Sequence, residues 1–333
     1  ADPGAGVHHA PARRGEHRVA RLAGDVQALV VRLGEGGENP AAHRPGELDR
    51  LRIALHGGFG GFGDVPLDAE IAYCEIVNDY LADAWGPYLD RVAPGIHLPY
   101  RDVAASVKEL ERAAAKGLRP ALMPVGLYDR PYHLAEWEPL WEAASSLNVP
   151  FTMHVGSGSQ TPAGASGVME AMQNPWPGLA DVGFYTASCM LGDTLGRLAF
   201  GGVFQKYPDL HVVMTEGYAG WLAFAMQMFD HHTHESRFAA VSALMGEGVK
   251  LDAPPSYYLK RQAHATFMWD PLAIRSRDLT GLDCLMWGND YPHHEGSFGF
   301  SNEWIDKQFA GVPEKEVDQI VRGNAARIFR ITV

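Results

Sequence analysis

Short apolar runs alternate with helical segments along most of the chain, from Leu51 onward. Each run is apolar at consecutive positions and ends near Gly, Pro or His, which is typical of strands buried on both faces of a parallel sheet. The runs are "LRIALHGG" (51–58), "VAPGIHLP" (92–99), "LRPALMPVG" (118–126), "VPFTMHVGSG" (149–158), "LHVVMTEGYAG" (210–220), "AHATFMWD" (263–270) and "LDCLMWGND" (282–290). We predict a strand in each of them.

The segments between the runs have helical spacing. In residues 102–117, Val103, Val107 and Leu110 share one face, and Gly117 ends the predicted helix. A second helix is predicted over 139–148. Strands that alternate with helices in this way predict an α/β fold, with a (β/α)8 barrel as the leading architecture. A doubly wound sheet is the alternative, although no G-x-G-x-x-G follows a predicted strand.

The first fifty residues have a different composition. They are rich in small residues, Pro and Gly, and only "DVQALVVRL" among them has a strand-like pattern. We therefore predict an N-terminal segment, residues 1–50, with loops and a peripheral hairpin, followed by a barrel domain over residues 51–333.

Charge and composition exclude several classes of partner. The chain has 28 Lys and Arg against 40 Asp and Glu, so its net charge of -12 offers no basic surface to a nucleic acid. No apolar stretch reaches the roughly 20 residues of a membrane span, and the beginning of the sequence has no secretory apolar core. The three cysteines, Cys74, Cys189 and Cys284, are far apart and are expected to be small buried apolar residues. We expect a cytoplasmic protein without membrane or nucleic-acid partners.

The polar residues that close the apolar runs are the candidates for chemistry, because barrel active sites gather at the carboxyl ends of the strands. They are His56, His97, His154, Glu216 and Asp290. Imidazoles and carboxylates that converge on one mouth are the ligands of a zinc-type divalent ion. A hydrogen-bonded structural role is the alternative for the first two histidines. A buried carboxylate at position 290 requires a metal, a histidine or an arginine beside it.

Glu216 has several possible roles. It precedes Gly217 and a predicted helix, so it could be a metal ligand, a general base, an orienter of a histidine or a helix cap. The cluster "DHHTHES" at 230–236 follows a helical segment in a polar context, and we expect His231, His232 and His234 to lie on the surface.

Other residues are expected to bind substrate. The glycine-rich loop "HGGFGGFGD" at 56–64 presents aromatic rings, and a plain flexible loop is its alternative interpretation. The apolar stretch 169–190 is expected to cap the mouth or to be buried in a homodimer. The substrate-binding candidates are Phe59, Phe62, Trp287, His293 and His294.

Four segments resemble the amidohydrolase superfamily, in the branch of aminocarboxymuconate semialdehyde decarboxylase: "VPFTMHVGSG", "YPDLHVVMTEGYAGWL", "LMWGNDYPHHEGSF" and "GNAARIF". The resemblance extends from about Leu51 to the C-terminus. It implies that His154 is the metal-binding histidine of the fifth barrel strand. It also implies that Asp290 is the aspartate of the eighth strand, which contacts the metal and handles the proton of a bound water. Glu216 stands where the decarboxylases usually have a histidine.

The His-x-His pair that usually ends the first strand of this superfamily has no counterpart ahead of Leu51. His154 and Asp290 therefore need a third ligand, which His56, Glu216 or His9 would supply. The sequence predicts an enzyme that hydrolyses or non-oxidatively decarboxylates a small aromatic or carboxylated substrate with one Zn or Mn ion. The alternatives are a metal-free acid/base enzyme, such as a cyclase, dehydratase or isomerase, and a non-catalytic ligand-binding relative.

Overall fold

A computed structural model describes residues 65–127, 129–157, 179–234, 249–291, 293 and 296–332. Its described residues form one parallel sheet of six strands. The strands are β1 (Ile96–His97), β2 (Ala121–Leu122), β3 (Phe151–His154), β4 (Val212–Thr215), β5 (Ala263–Phe267) and β6 (Leu285–Trp287). Each lies inside one of the runs predicted from residue 92 onward. The predicted strand at 51–58 and the N-terminal segment 1–50 lie outside the described residues.

The strands pair in the order in which they occur along the chain. Every neighbouring pair is consecutive and parallel, from β1 with β2 to β5 with β6. A doubly wound sheet would reverse its direction of winding at a switch point, whereas a (β/α)8 barrel winds in one direction throughout. The observed order confirms the prediction of an α/β barrel and brings the carboxyl ends of the strands to one edge.

Helices connect and cover the strands. They are α1 (Leu67–Trp85), α2 (Val103–Ala115), α3 (Glu138–Leu147), α4 (Leu179–Phe200), α5 (Val203–Lys206), α6 (Gly220–His234), α7 (Pro255–Gln262), α8 (Pro271–Arg275), α9 (Arg277–Thr280), α10 (Ser301–Gln308), α11 (Glu314–Asp318) and α12 (Asn324–Phe329). A π-helical turn, Gln319–Gly323, joins the last two, and single 3-10 turns occur at Gly86–Tyr88, Ala135–Trp137 and Leu282–Cys284.

Both helices predicted from spacing are present, and local chemistry explains where they end. Asp102 caps α2, because its carboxylate accepts a hydrogen bond from the backbone N–H of Ala105 at 2.8 Å. Gly117 follows this helix with a φ of +91°, a left-handed conformation that glycine adopts without cost. Helix α3 ends at Asn148, which is also left-handed, with a φ of 52°.

The core is divided between the two faces of the sheet. Residues paired in register, such as Ile96, Ala121 and Phe151, belong to the large cluster packed under the helices. Val213 and Met286 belong to a second, small cluster with Ile328 of α12. Successive residues of a strand point to opposite faces, so the second cluster lies on the inner side of the barrel.

Two expectations about exposure can be compared with the structure. Cys74 and Cys284 are buried as predicted, but the prediction is wrong for Cys189, which is exposed on α4. In the sequence of this helix, apolar residues occur at positions on every helical face, so the spacing does not indicate that Cys189 is exposed. His231 and His232 are exposed near the end of α6, which confirms their surface location.

No helix in the described part of the chain is long and apolar enough to span a membrane.

Candidate active site

Four ionisable side chains meet at the edge formed by the carboxyl ends of the strands. His154 is the last residue of β3, Glu216 directly follows β4, and Asp290 follows β6 by three positions. His293 comes after the turn that begins at Asp290, where its backbone N–H donates to the Asp290 carbonyl at 2.8 Å. All four are at least partly accessible, as residues that receive a ligand must be.

His154 is held in one ring orientation by contacts at both nitrogens. Its Nδ1 lies 2.6 Å from the carbonyl oxygen of Val155 and therefore donates its proton there. Its Nε2 lies 2.5 Å from Oε2 of Glu216, so the pair holds one proton between them. Burial lowers the pKa of His154, but the hydrogen bonds to Glu216 and to Val155 outweigh it and raise the pKa above its usual value.

Glu216 is positioned by its backbone. Its φ of 63° is left-handed, an unusual conformation for a residue with a side chain, and its N–H donates to Oγ1 of Thr266 at 2.8 Å. Burial raises the pKa of its carboxyl group. The contacts with His154 lower the pKa by more, so the net pKa is below its usual value. The carboxyl group therefore stays ionised at pH values at which a free glutamate begins to take up a proton.

Asp270, and not Glu216, caps the helix that follows β4. Asp270, which is almost fully buried, accepts hydrogen bonds from the backbone N–H groups of Ala219 and Gly220, both at 2.8 Å, where α6 begins. It also caps α8 through the N–H of Ala273 at 2.9 Å. Glu216 therefore does not cap the helix and is directed toward His154 instead. The signal for Asp270 was present in the sequence, since an Asp before Pro is a common helix start.

A group of potential metal ligands surrounds Asp290. One ligand atom from each of Glu216, Asp290 and His293 lies within 4.8 Å of the others. Nδ1 of His293 is 3.3 Å from Oδ2 of Asp290, and Asp290 is also left-handed, with a φ of 56°. Two carboxylates and an imidazole, with the His154 ring adjoining Glu216, are a donor set that suits Zn²⁺ or Mn²⁺.

A cavity of about 530 Å³ opens beside these groups. Glu216 and Asp290 lie in its wall, and the rest is largely aromatic and apolar, including Trp269, Trp287 and Trp304. The indole N–H of Trp287 donates to the Met268 carbonyl at 2.9 Å, which fixes that ring. No Arg or Lys side chain belongs to the described part of this wall. The size and lining suit a small aromatic molecule.

The structure brings together five of the residues predicted from sequence: His154, Glu216, Asp290, His293 and Trp287. His56, Phe59, Phe62 and His294 lie outside the described residues.

His97 ends β1, as predicted, but is separate from this group. Its ring lies edge-on to Tyr73 at 6.0 Å, and burial lowers its pKa to about 4, so it is neutral at pH 7. The contact of Thr266 with Glu216 and that of Asp270 with Gly220 were missed, because both depend on which strands become neighbours.

A sequence model of the family described as "Amidohydrolase" matches residues 21–331 of the chain. Among characterised proteins, the chain is similar to gamma-resorcylate decarboxylase from Polaromonas sp., with 24% identity over 287 residues that cover 76% of this chain and 75% of that protein.

Two solved structures share the fold. The 5-carboxyvanillate decarboxylase from Sphingomonas paucimobilis superposes with a TM-score of 0.67 at 21% identity, covering 95% of this chain and 96% of that one. A dihydroxybenzoic acid decarboxylase from Polaromonas sp., solved with bound manganese and the inhibitor 2-nitroresorcinol, gives a TM-score of 0.61 at 20% identity, with 86% of each chain covered.

Proposed function

This chain belongs to the amidohydrolase family, and on that premise we propose that it is a metal-dependent decarboxylase of a small aromatic carboxylate. One observation carries the proposal: one ligand atom from each of Glu216, Asp290 and His293 lies within 4.8 Å of the others, and Glu216 and Asp290 lie in the wall of an aromatic cavity. The similarity to gamma-resorcylate decarboxylase supports decarboxylation over hydrolysis as the reaction. The manganese in a structural relative supports a divalent ion.

Glu216, Asp290 and His293 would hold the ion, and the His154 ring adjoins them. When bound, a divalent ion supplies positive charge for the substrate carboxylate and lowers the pKa of water. This charge matters because the described wall of the cavity contains no cationic side chain. A negatively charged substrate would otherwise meet two carboxylates.

The aromatic wall would bind the ring of the substrate. Trp287 is fixed by its hydrogen bond to Met268, and Trp269 packs edge-on to Trp304 at 5.7 Å, so these rings offer rigid apolar surfaces. A substrate ring packed against them would be oriented with its carboxylate toward Asp290 and Glu216. Loss of CO2 then leaves the ring carbon with an electron pair that must receive a proton.

The pair of His154 and Glu216 would supply that proton. Their 2.5 Å contact holds a proton at the edge of the cavity, and the Val155 carbonyl keeps Nε2 as the nitrogen that faces inward. In the balanced reaction, one aromatic carboxylate and one proton give the arene and CO2. The pair is reprotonated from solvent after each turnover.

The test is release of CO2 from a set of hydroxylated benzoates, with aryl esters and amides as hydrolysis controls. Purified protein is loaded with Mn²⁺ or Zn²⁺, and metal content is measured by plasma mass spectrometry. We expect Asp290→Asn and His154→Phe to lower turnover at least about 100-fold while the circular dichroism spectrum stays unchanged. Asp278→Asn removes an exposed carboxylate outside the site and should leave turnover unchanged.

Full decarboxylase activity in Asp290→Asn would contradict the assignment of the site. Cleavage of esters or amides with no CO2 released from any benzoate would contradict the assignment of the reaction and would favour a hydrolase at the same residues.

A further inference from the structure

A second pocket, of about 470 Å³, lies outside the candidate active site. It is formed by the loop after β5, the two short helices α8 and α9, and the end of α10. We call it the basic pocket, because its wall includes Arg275, Arg277 and Lys307 together with Trp269 and Val312. No carboxylate belongs to its wall among the described residues.

The three cations are not equivalent. Arg277 is fixed and compensated, since its Nε donates to Oε2 of Glu316 at 2.7 Å and its Nη1 donates to the Ile274 carbonyl at 3.0 Å. Arg275 and Lys307 are exposed, and neither forms an ion pair with a described residue. In a chain with a net charge of -12, two uncompensated cations on one pocket attract anions locally.

The rest of the pocket wall is aromatic and apolar. Nζ of Lys307 lies 5.6 Å from the centre of the Trp269 ring, which places a cation directly over an aromatic face. The aliphatic side chains of Ile274 and Val312 complete this part of the wall. A ligand seated here would therefore meet positive charge at one end and apolar surface at the other.

We propose that the basic pocket binds a small organic anion, an aromatic or other apolar carboxylate, at a site distinct from the active-site cavity. The carboxylate lies between Arg275 and Lys307, and the apolar body packs on Trp269. Arginine binds a carboxylate through two parallel N–H groups, which gives the interaction direction as well as strength. The proposal does not depend on the reaction that the enzyme catalyses.

The basic pocket adjoins the active-site cavity. Trp269 forms part of the wall of both. Gln308, in the basic pocket, donates to the Met268 carbonyl at 2.8 Å and accepts from the N–H of Asp270 at 3.2 Å, so it holds the loop between the two sites. An anion bound in the basic pocket would contact the loop that forms one wall of the active-site cavity.

The test is isothermal titration calorimetry on the metal-loaded protein, with benzoate and inorganic phosphate as separate probes. We expect benzoate to bind in two classes of site. Arg275→Gln combined with Lys307→Gln should weaken one class at least about tenfold and leave the other unchanged. Lys315→Gln removes an exposed positive charge outside the pocket and should change neither class.

Binding of benzoate in a single class that the double variant does not alter would overturn the proposal. Phosphate binding as tight as benzoate binding, with the same sensitivity to the double variant, would overturn the assignment to apolar carboxylates and indicate an oxyanion site only. Because calorimetry measures binding and not turnover, the loss of one binding class in the double variant can be detected whether or not the protein has decarboxylase activity.

Discussion

Replacing Asp270 with alanine is expected to destabilise the protein more than the loss of any ordinary helix cap. The carboxylate is almost fully buried and accepts three backbone hydrogen bonds, from Ala219, Gly220 and Ala273. These bonds join the loop that carries Glu216 to the start of α8. The substitution removes the acceptor for all three N–H groups at once.

The size of the effect follows from these contacts. A hydrogen bond to a charged group contributes about 1.5 to 3 kcal/mol, and a buried donor left without a partner adds to the loss. Since the N–H groups can recover part of this by rearrangement or contact with water, we expect a loss of about 3 to 5 kcal/mol. A total stability of roughly 5 to 15 kcal/mol makes this a large fraction of the whole.

Equilibrium unfolding in urea measures this loss as a change in midpoint at constant slope. Asp102→Ala is the matched control, because Asp102 caps α2 through a single backbone bond to Ala105 and is half-buried, so its loss should be about 1 kcal/mol. Asp270→Asn keeps one oxygen acceptor and should fall between the two. Equal losses for the two alanine variants would refute the reasoning that the number of backbone bonds sets the cost.

Two other predictions concern Thr266 and His264. Thr266→Val should lower stability by about 1 to 2 kcal/mol and weaken metal binding about tenfold, because the N–H of Glu216 loses its acceptor. Thr280→Val is its control in the same unfolding and metal-titration measurements: the hydroxyl of Thr280 is buried and has no hydrogen-bond partner in the described structure, so its loss should cost nothing. For His264, burial lowers the pKa from 6.5 to about 3, so the neutral ring stabilises the fold above pH 6.5 and this contribution is lost as pH falls toward 3. Between pH 6.5 and 4.5 the loss in the free energy of unfolding should amount to roughly 2 to 3 kcal/mol, measured by urea unfolding at several pH values. A His264→Gln variant with the same acid sensitivity would contradict this prediction.

The strands and their order could be predicted from the sequence for a physical reason. Strands buried on both faces must be apolar at consecutive positions, so each leaves a readable run, and the helices between them have their own spacing. The residues that end the runs, such as His154 and Asp290, then share an edge whatever their distance along the chain. This part of the site is encoded locally.

The remaining parts of the site depend on contacts between strands. Thr266 holds the backbone of Glu216, which lies fifty positions earlier, only because β4 and β5 pair in one register. Asp270 reaches Gly220 for the same reason. The contact between His293 and Asp290 requires the shape of a turn, which residue types alone do not determine. Sequence spacing contains no direct signal for such contacts.

Glu216 and Asp290 share a left-handed backbone, with φ values of 63° and 56°. A glutamate rarely adopts this conformation, so the turn at Glu216 is imposed by the strands and hydrogen bonds around it, whereas an aspartate such as Asp290 adopts it more readily. Glycine would adopt it more easily, and asparagine nearly as well. Substitution at these two positions can therefore change the chemistry of the site while the barrel keeps its fold. The chemistry of this enzyme can evolve separately from its scaffold.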